Sequence, residues 1–192
     1  RRLARSPSLE STLNLEDLGW GEPFASAFAA TPDRNGCAPA RVVAVHRGHL
    51  VVAGAQGEAL AVVAGRARQR ATIGDWVVVD GRGAVSARLP RRGVLARAGQ
   101  DLAANVDVAF VVTSANRDLN ARRLERFVAV AAAGGCEPVL VLNKADLVTD
   151  AEPALAVLAT AAPGVPVAVT SAQRGDGVEA LVARLGPGRT GA

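Results

Sequence analysis

Between Ala40 and Leu89 short apolar runs alternate with polar breaks, at a spacing too close for helices. Ala40 to His46, His49 to Ala53, Glu58 to Val63, Asp75 to Asp80 and Ala84 to Leu89 read as strands. Their breaks are Arg47-Gly48, Gln56-Gly57, the arginine-rich Gly65 to Gly74, and Asp80-Gly81, all turn chemistry. Five short strands in so few residues predict a small closed barrel of the oligonucleotide-binding (OB) type, since a flat meander would leave edge strands open.

Past Asn105 the period changes. Val106 to Thr113 and Pro138 to Leu142 are near-continuous apolar runs, the pattern of parallel strands buried on both faces. Between them Asn120 is expected to cap a helix over 121–133, with Leu124, Phe127, Val128 and Ala131 on one stripe and Gly134-Gly135 as the stop. Asp150 caps a second helix that tolerates Pro153 in its first turn, and Val165 to Thr170 is a third strand. Asp176 and Glu179 form a capping-box-like pair opening a helix to Leu185. Strand, helix, strand, helix, strand, helix means a parallel sheet with right-handed crossovers.

The remaining segments set the boundaries. Residues 1–34 are a polar tail followed by a short helix or docking segment, with a Pro/Asp/Asn/Gly loop from Thr31 to Pro39. The expected barrel covers 35–90, a basic irregular linker 91–105, and an α/β unit 106–192. Apolar residues make up 49% and aromatic ones 3%, a soluble globular composition. No run is long enough to span a membrane, no secretory signal is present, and a cytoplasmic place is expected. Cys37 and Cys136 have no partners at metal-ligand spacing, and His46 with His49 lacks a third ligand, so no metal site is expected.

Charge is uneven. Asn35 to Ala104 carries ten arginines against four acidic residues, whereas the rest of the chain beyond is close to neutral. That surplus is the footprint of a surface that meets phosphate backbone, and Arg41, Arg47, Arg66, Arg68 and Arg70 are the expected RNA contacts. Trp76 is the barrel's one aromatic residue, so binding by backbone and shape is expected over base stacking.

The chemistry is concentrated at Val139 to Asp146, where a buried strand runs straight into Asn143-Lys144-Ala145-Asp146. Open α/β sheets hold ligands at this carboxyl end. The Asp146 carboxylate offers two coplanar acceptors to the ring N–H and exocyclic amine of guanine, which adenine cannot present together. Asn143 can hydrogen-bond the purine edge and brace the loop, and Lys144, the sole lysine in the chain, can lay its stem over the base. The strand ending at Thr170 leads into Ser171-Ala172, where Ser171 would brace the turn and the Ala172 N–H would donate to the guanine oxygen. No Gly-Lys-Ser/Thr phosphate loop occurs in the 192 residues, and the Asp-x-x-Gly matches at Asp33 and Asp80 read as turns.

Asn143-Lys144-Ala145-Asp146 is the N-K-x-D signature of GTP-binding proteins, and Ser171-Ala172 looks like their second guanine-contacting loop. Here a barrel precedes the guanine loops directly, an order that resembles the circularly permuted, ribosome-small-subunit-dependent GTPases of bacteria. Leu15 to Trp20, Gly74-Asp75-Trp76-Val77, Ala103 to Asp107 and Ala133 through Leu147 carry the likeness, and Gly188-Arg189-Thr190 resembles the lead-in to that family's phosphate loop. The resemblance implies an OB-like RNA-binding barrel and part of a P-loop-NTPase-like GTPase domain with a parallel sheet. It further implies GTP hydrolysis in late assembly of the small ribosomal subunit, with that subunit and its rRNA as partners and a monomeric state. GTP or GDP and Mg²⁺ are the implied cofactors, with structural Zn²⁺ in a C-terminal module. The phosphate-loop, magnesium and zinc ligands are not in this sequence, so the chain is not expected to catalyse alone and no residue in it is expected to be catalytic. The alternative is a non-enzymatic rRNA-binding module with a vestigial half GTPase domain.

Overall fold

The computed structural model describes residues 13–32, 34–63, 71–114 and 119–192, in two compact units, Arg1–Pro90 and Arg91–Ala192. In the first unit β1 (Ala38–His46), β2 (His49–Gly54), β3 (Gly57–Val63), β4 (Trp76–Val79) and β5 (Ala84–Arg88) close a barrel in the order β1-β2-β3-β5-β4. The β3–β5 pair is parallel and the others antiparallel, which removes every open edge and gives the expected OB-like architecture. Alternate residues fill its interior: Ala40, Val42, Leu50, Val52, Ala61, Val77 and Val85.

The segment before the barrel docks on it. The helix α1 (Phe24–Ala29) and the turn before it bring Leu15, Leu18, Trp20, Phe24 and Phe28 against Trp76, Val78 and Leu89. The Trp20 and Trp76 rings meet edge to face at 4.7 Å, a favourable quadrupole arrangement. Trp76 is thus a core residue, 1% exposed, and has no face for a nucleobase.

In the second unit the region read as an irregular linker is a β-hairpin, β6 (Val94–Arg97) with β7 (Gln100–Ala104). Its two-residue turn, Ala98-Gly99, has positive φ at both positions, the hairpin geometry that Asn-Gly or Asp-Gly normally announces. With Ala in the first place the usual signal is missing. Beyond it β8 (Val108–Ser114), α2 (Ala121–Ala133), β9 (Glu137–Asn143), α3 (Glu152–Ala161), β10 (Val167–Val169) and α4 (Val178–Val182) build a parallel sheet ordered β10-β9-β8. Residues 190–192 add along the other side of β8, bridging Gly191 to Val108. Leu140 and Leu142 face Leu124 and Leu158, while Val139 and Val141 face Leu181 and Leu185, so β9 is buried on both sides.

Asn120 caps α2 where the sequence placed it, whereas the N-cap of α3 is Ala151, without a side-chain bond, and Asp150 stands one residue before it. Asn120 Oδ1 accepts the Arg123 N–H at 3.0 Å, and Asp150 Oδ1 accepts that of Glu152 at 2.9 Å. The capping box at Asp176 and Glu179 does not form. The N-cap of α4 is Gly177, at φ +72°, which has no side chain to offer, so Asp176 stands one residue too early to cap. Phe127 also departs from expectation: it stands 36% exposed at the helix surface, with the Arg97 guanidinium 5.8 Å from its ring centre.

Candidate functional site

Parallel pairing puts the carboxyl ends of β9 and β10 side by side. Leu142 is opposite Val169, so Asn143 and Thr170 leave the sheet together. The chain then turns at once: Lys144 takes the left-handed conformation, φ 61° and ψ 34°, before the short 3₁₀ turn Ala145–Leu147. An L-residue there costs about 1–2 kcal/mol. Two cross-strand bonds hold the conformation, Ala145 N–H to the Thr170 carbonyl at 3.1 Å and Thr170 N–H to the Leu142 carbonyl at 2.9 Å.

Side chains lock the two loops together. Ser171 is 1% exposed, and its hydroxyl donates to Asp146 Oδ1 at 2.6 Å. Asn143 Oδ1 accepts the Ala172 N–H at 3.0 Å and the Thr170 hydroxyl at 3.2 Å. All five residues singled out for guanine therefore converge. The Ala172 N–H, expected to donate to a base oxygen, donates to Asn143 Oδ1 in this structure. Thr170 was not anticipated in this network; a threonine closing a strand carries no sequence signal of its own.

A hollow of about 230 Å³ opens beside these loops, lined by Asn143, Lys144, Asp146, Leu147, Ala172 and Gln173. Leu147 is 65% exposed there, an apolar surface next to a polar edge. The Ser171 hydroxyl is the main reason the Asp146 carboxyl titrates below the ordinary aspartate range. Desolvation opposes that effect, while the loop's own backbone N–H and the charges of Arg174 and Lys144 reinforce it. A carboxylate with its charged form favoured, beside an apolar wall and a lysine stem, can take the donor edge of a guanine.

Among the described residues no three His, Cys, Asp or Glu side chains gather at one place to hold a metal ion. Asp80 behaves as a turn residue, its carboxylate accepting the N–H groups of Ala84 and Arg82, which pull its pKa down. Asp33 lies outside the described residues.

The expected RNA contacts divide. Arg47 is exposed at the β1–β2 turn. Arg41 is not available: it is 7% exposed, its guanidinium donates to the Leu18 carbonyl, and it lies 6.0 Å from the Trp76 ring centre. It ties the docking segment to the barrel, a role that charge counting cannot separate from surface charge. Arg66, Arg68 and Arg70 lie outside the described residues. Arg82, on the β4–β5 turn, is a further exposed arginine that the strand pattern alone gave no reason to choose. His46 and His49 stack at 4.9 Å across the β1–β2 hairpin. No described helix is long and apolar enough to cross a membrane.

Comparison with known proteins agrees with this architecture. Residues 88–191 match the RsgA GTPase family. A small ribosomal subunit biogenesis GTPase RsgA from Syntrophotalea carbinolica is 38% identical over 202 residues, covering 93% of this chain and 55% of that protein. One of the same name from Opitutus terrae is 41% identical over 205 residues, covering 93% and 56%. The chain thus spans a little over half the length of these curated relatives. Of the solved structures, YjeQ from Thermotoga maritima superposes with a TM-score of 0.63 at 25% identity, over 78% of this chain and 57% of that one. YloQ, described as a circularly permuted GTPase, gives 0.61 at 20% identity over 81% and 58%, a likeness of fold. With more than half of its residues inside the family match, and with the barrel and parallel sheet of these structures, this chain belongs to the RsgA GTPase family.

Proposed function

We propose that this chain carries the guanine-recognising part of a GTP-hydrolysing factor in small-subunit assembly, and that its barrel contacts rRNA. The observation that carries the reading is the 2.6 Å bond from Ser171 to Asp146, which joins two loops from neighbouring strands around one hollow. In this reading the Asp146 carboxylate accepts the guanine ring N–H and exocyclic amine, and Asn143, its oxygen occupied by Ala172 and Thr170, presents its amide hydrogens to the purine edge. Lys144 covers the base with its methylene stem and Leu147 forms the apolar wall.

The hydrolytic step is attack of water on the terminal phosphoryl group, which depends on positioning and on metal electrostatics. The residues for that step are not among these 192, so this chain's own part is to fix the nucleotide's base. The relatives' names support ribosome assembly as the setting, and a cytoplasmic place goes with it. The arginine surplus over 35–104 and the exposed Arg47 support rRNA contact by the barrel.

Isothermal titration with GDP and ADP tests the reading. The chain should bind GDP in clear preference to ADP, and Asp146→Asn should weaken GDP binding on the order of a hundredfold by removing charge-assisted acceptors. Equal binding of the two nucleotides, or rRNA binding with no nucleotide affinity at all, would favour a non-enzymatic RNA-binding module.

A further inference from the structure

Ser171 is held from behind as well as from the front. Its N–H donates to the Asp176 carbonyl at 3.0 Å, its carbonyl accepts the Gly175 N–H at 2.8 Å, and its hydroxyl oxygen accepts the Arg174 N–H at 3.2 Å. The segment 171–176 is therefore a closed loop, bridged at Ser171 and Asp176. Its closure depends on the residue that follows. Gly177 has φ +72°, and a Cβ built on it would stand 2.2 Å from the Val169 carbonyl oxygen and 3.2 Å from its carbonyl carbon. Both obstacles are backbone, at the end of the strand that supplies Thr170 to Asn143 and Ser171 to Asp146.

From this packing we infer that Gly177 is a positioning residue for guanine selectivity: it lets the loop close against Val169, closure fixes Ser171, and Ser171 aims the Asp146 carboxylate. The inference rests on the base-binding role proposed above. Any side chain at 177 has to push the loop away from the strand end, and displacement of an aimed group by about 1 Å can cost up to a hundredfold. The contact most exposed to such a shift is the one from the carboxylate to the exocyclic amine, which hypoxanthine lacks. Selectivity for GDP over IDP therefore reads the aim of Asp146 directly.

The test compares GDP and IDP affinities in the full chain. Gly177→Ala should lower the GDP-over-IDP ratio about tenfold or more. Gly177→Asn should do the same, since asparagine accepts a positive φ but still carries the obstructing Cβ. Gly164→Ala is the control: its φ is +79°, and nothing lies within 4 Å of an added Cβ, so it carries the backbone strain without the collision and should keep the native ratio. An unchanged ratio in Gly177→Ala, or the same loss in Gly164→Ala, overturns the inference. Hydrogen exchange on the native chain supplies a second arm that needs no variant: the Ser171 N–H should be protected like the sheet amides, and free exchange there overturns the closed loop. If the native chain shows no preference for GDP over IDP, the base-binding reading fails instead, and the exchange result still decides whether the loop is closed.

Discussion

Asp146 shows how one neighbour sets the chemistry of a residue. The hydroxyl of Ser171 stabilises its charged form, so its pKa lies below the ordinary value of 3.8. For a depressed carboxylate the favourable ionised state is present above the ordinary value and lost only as pH falls through the lowered one. GDP affinity should therefore stay level with falling pH down to about 3.8 and decline only beneath it. Ser171→Ala removes the largest cause and should move the decline upward; an NMR titration of the Asp146 carboxyl carbon checks both, and a native midpoint above 3.8 would contradict the assignment. Arg41 carries the opposite lesson. By type and position it counts toward a phosphate-binding surface, yet its guanidinium is tucked under the docking segment between Leu18 and Trp76.

At the scale of elements, backbone contact decides how the hairpin meets α2. A Cβ on Gly93 would stand 2.1 Å from the Gly134 carbonyl oxygen, and one on Gly134 would stand 2.7 Å from that of Val94. Asn105 reinforces the join, its side chain accepting the Arg92 N–H at 2.8 Å while its own N–H donates to the Gly93 carbonyl. Gly93→Ala should lower stability by roughly 1–3 kcal/mol, as overpacking does, and leave the GDP-over-IDP ratio alone. Denaturant unfolding measures the first and nucleotide titration the second. Unchanged stability would mean that the two backbone segments do not approach this closely. The hairpin was hidden in the sequence because Ala98 occupies a turn position where Asn or Asp is the usual sign.

For the whole molecule the two proposed activities use different residues. The base loops lie in the unit Arg91–Ala192, and Arg47 lies in the barrel unit Arg1–Pro90. Asp146→Asn should therefore leave affinity for a small-subunit rRNA fragment unchanged, and Arg47→Ala should lower it without touching GDP binding. Fluorescence anisotropy at two salt concentrations provides the check, since phosphate-backbone contacts weaken steeply with salt. Equal loss of both activities in Asp146→Asn would undo this separation of roles.

What the sequence settled by itself is local. Apolar period and turn residues marked the five barrel strands, and the helix over 121–133 begins and ends where Asn120 and Gly134-Gly135 place it. The quartet Asn143 to Asp146 after that buried strand marked the loop proposed to hold the base. These features depend on neighbours a few residues apart, where the period of each element and the chemistry of its caps suffice. Only the tertiary structure decided which atoms meet. The Ala172 N–H finds Asn143 across 29 positions of chain, and Ser171 finds Asp146 across 25, because the β9–β10 register brings two strand ends to one edge. No periodicity reports such a meeting, since its cause is the packing of a helix between the strands and not any property of the residues that touch.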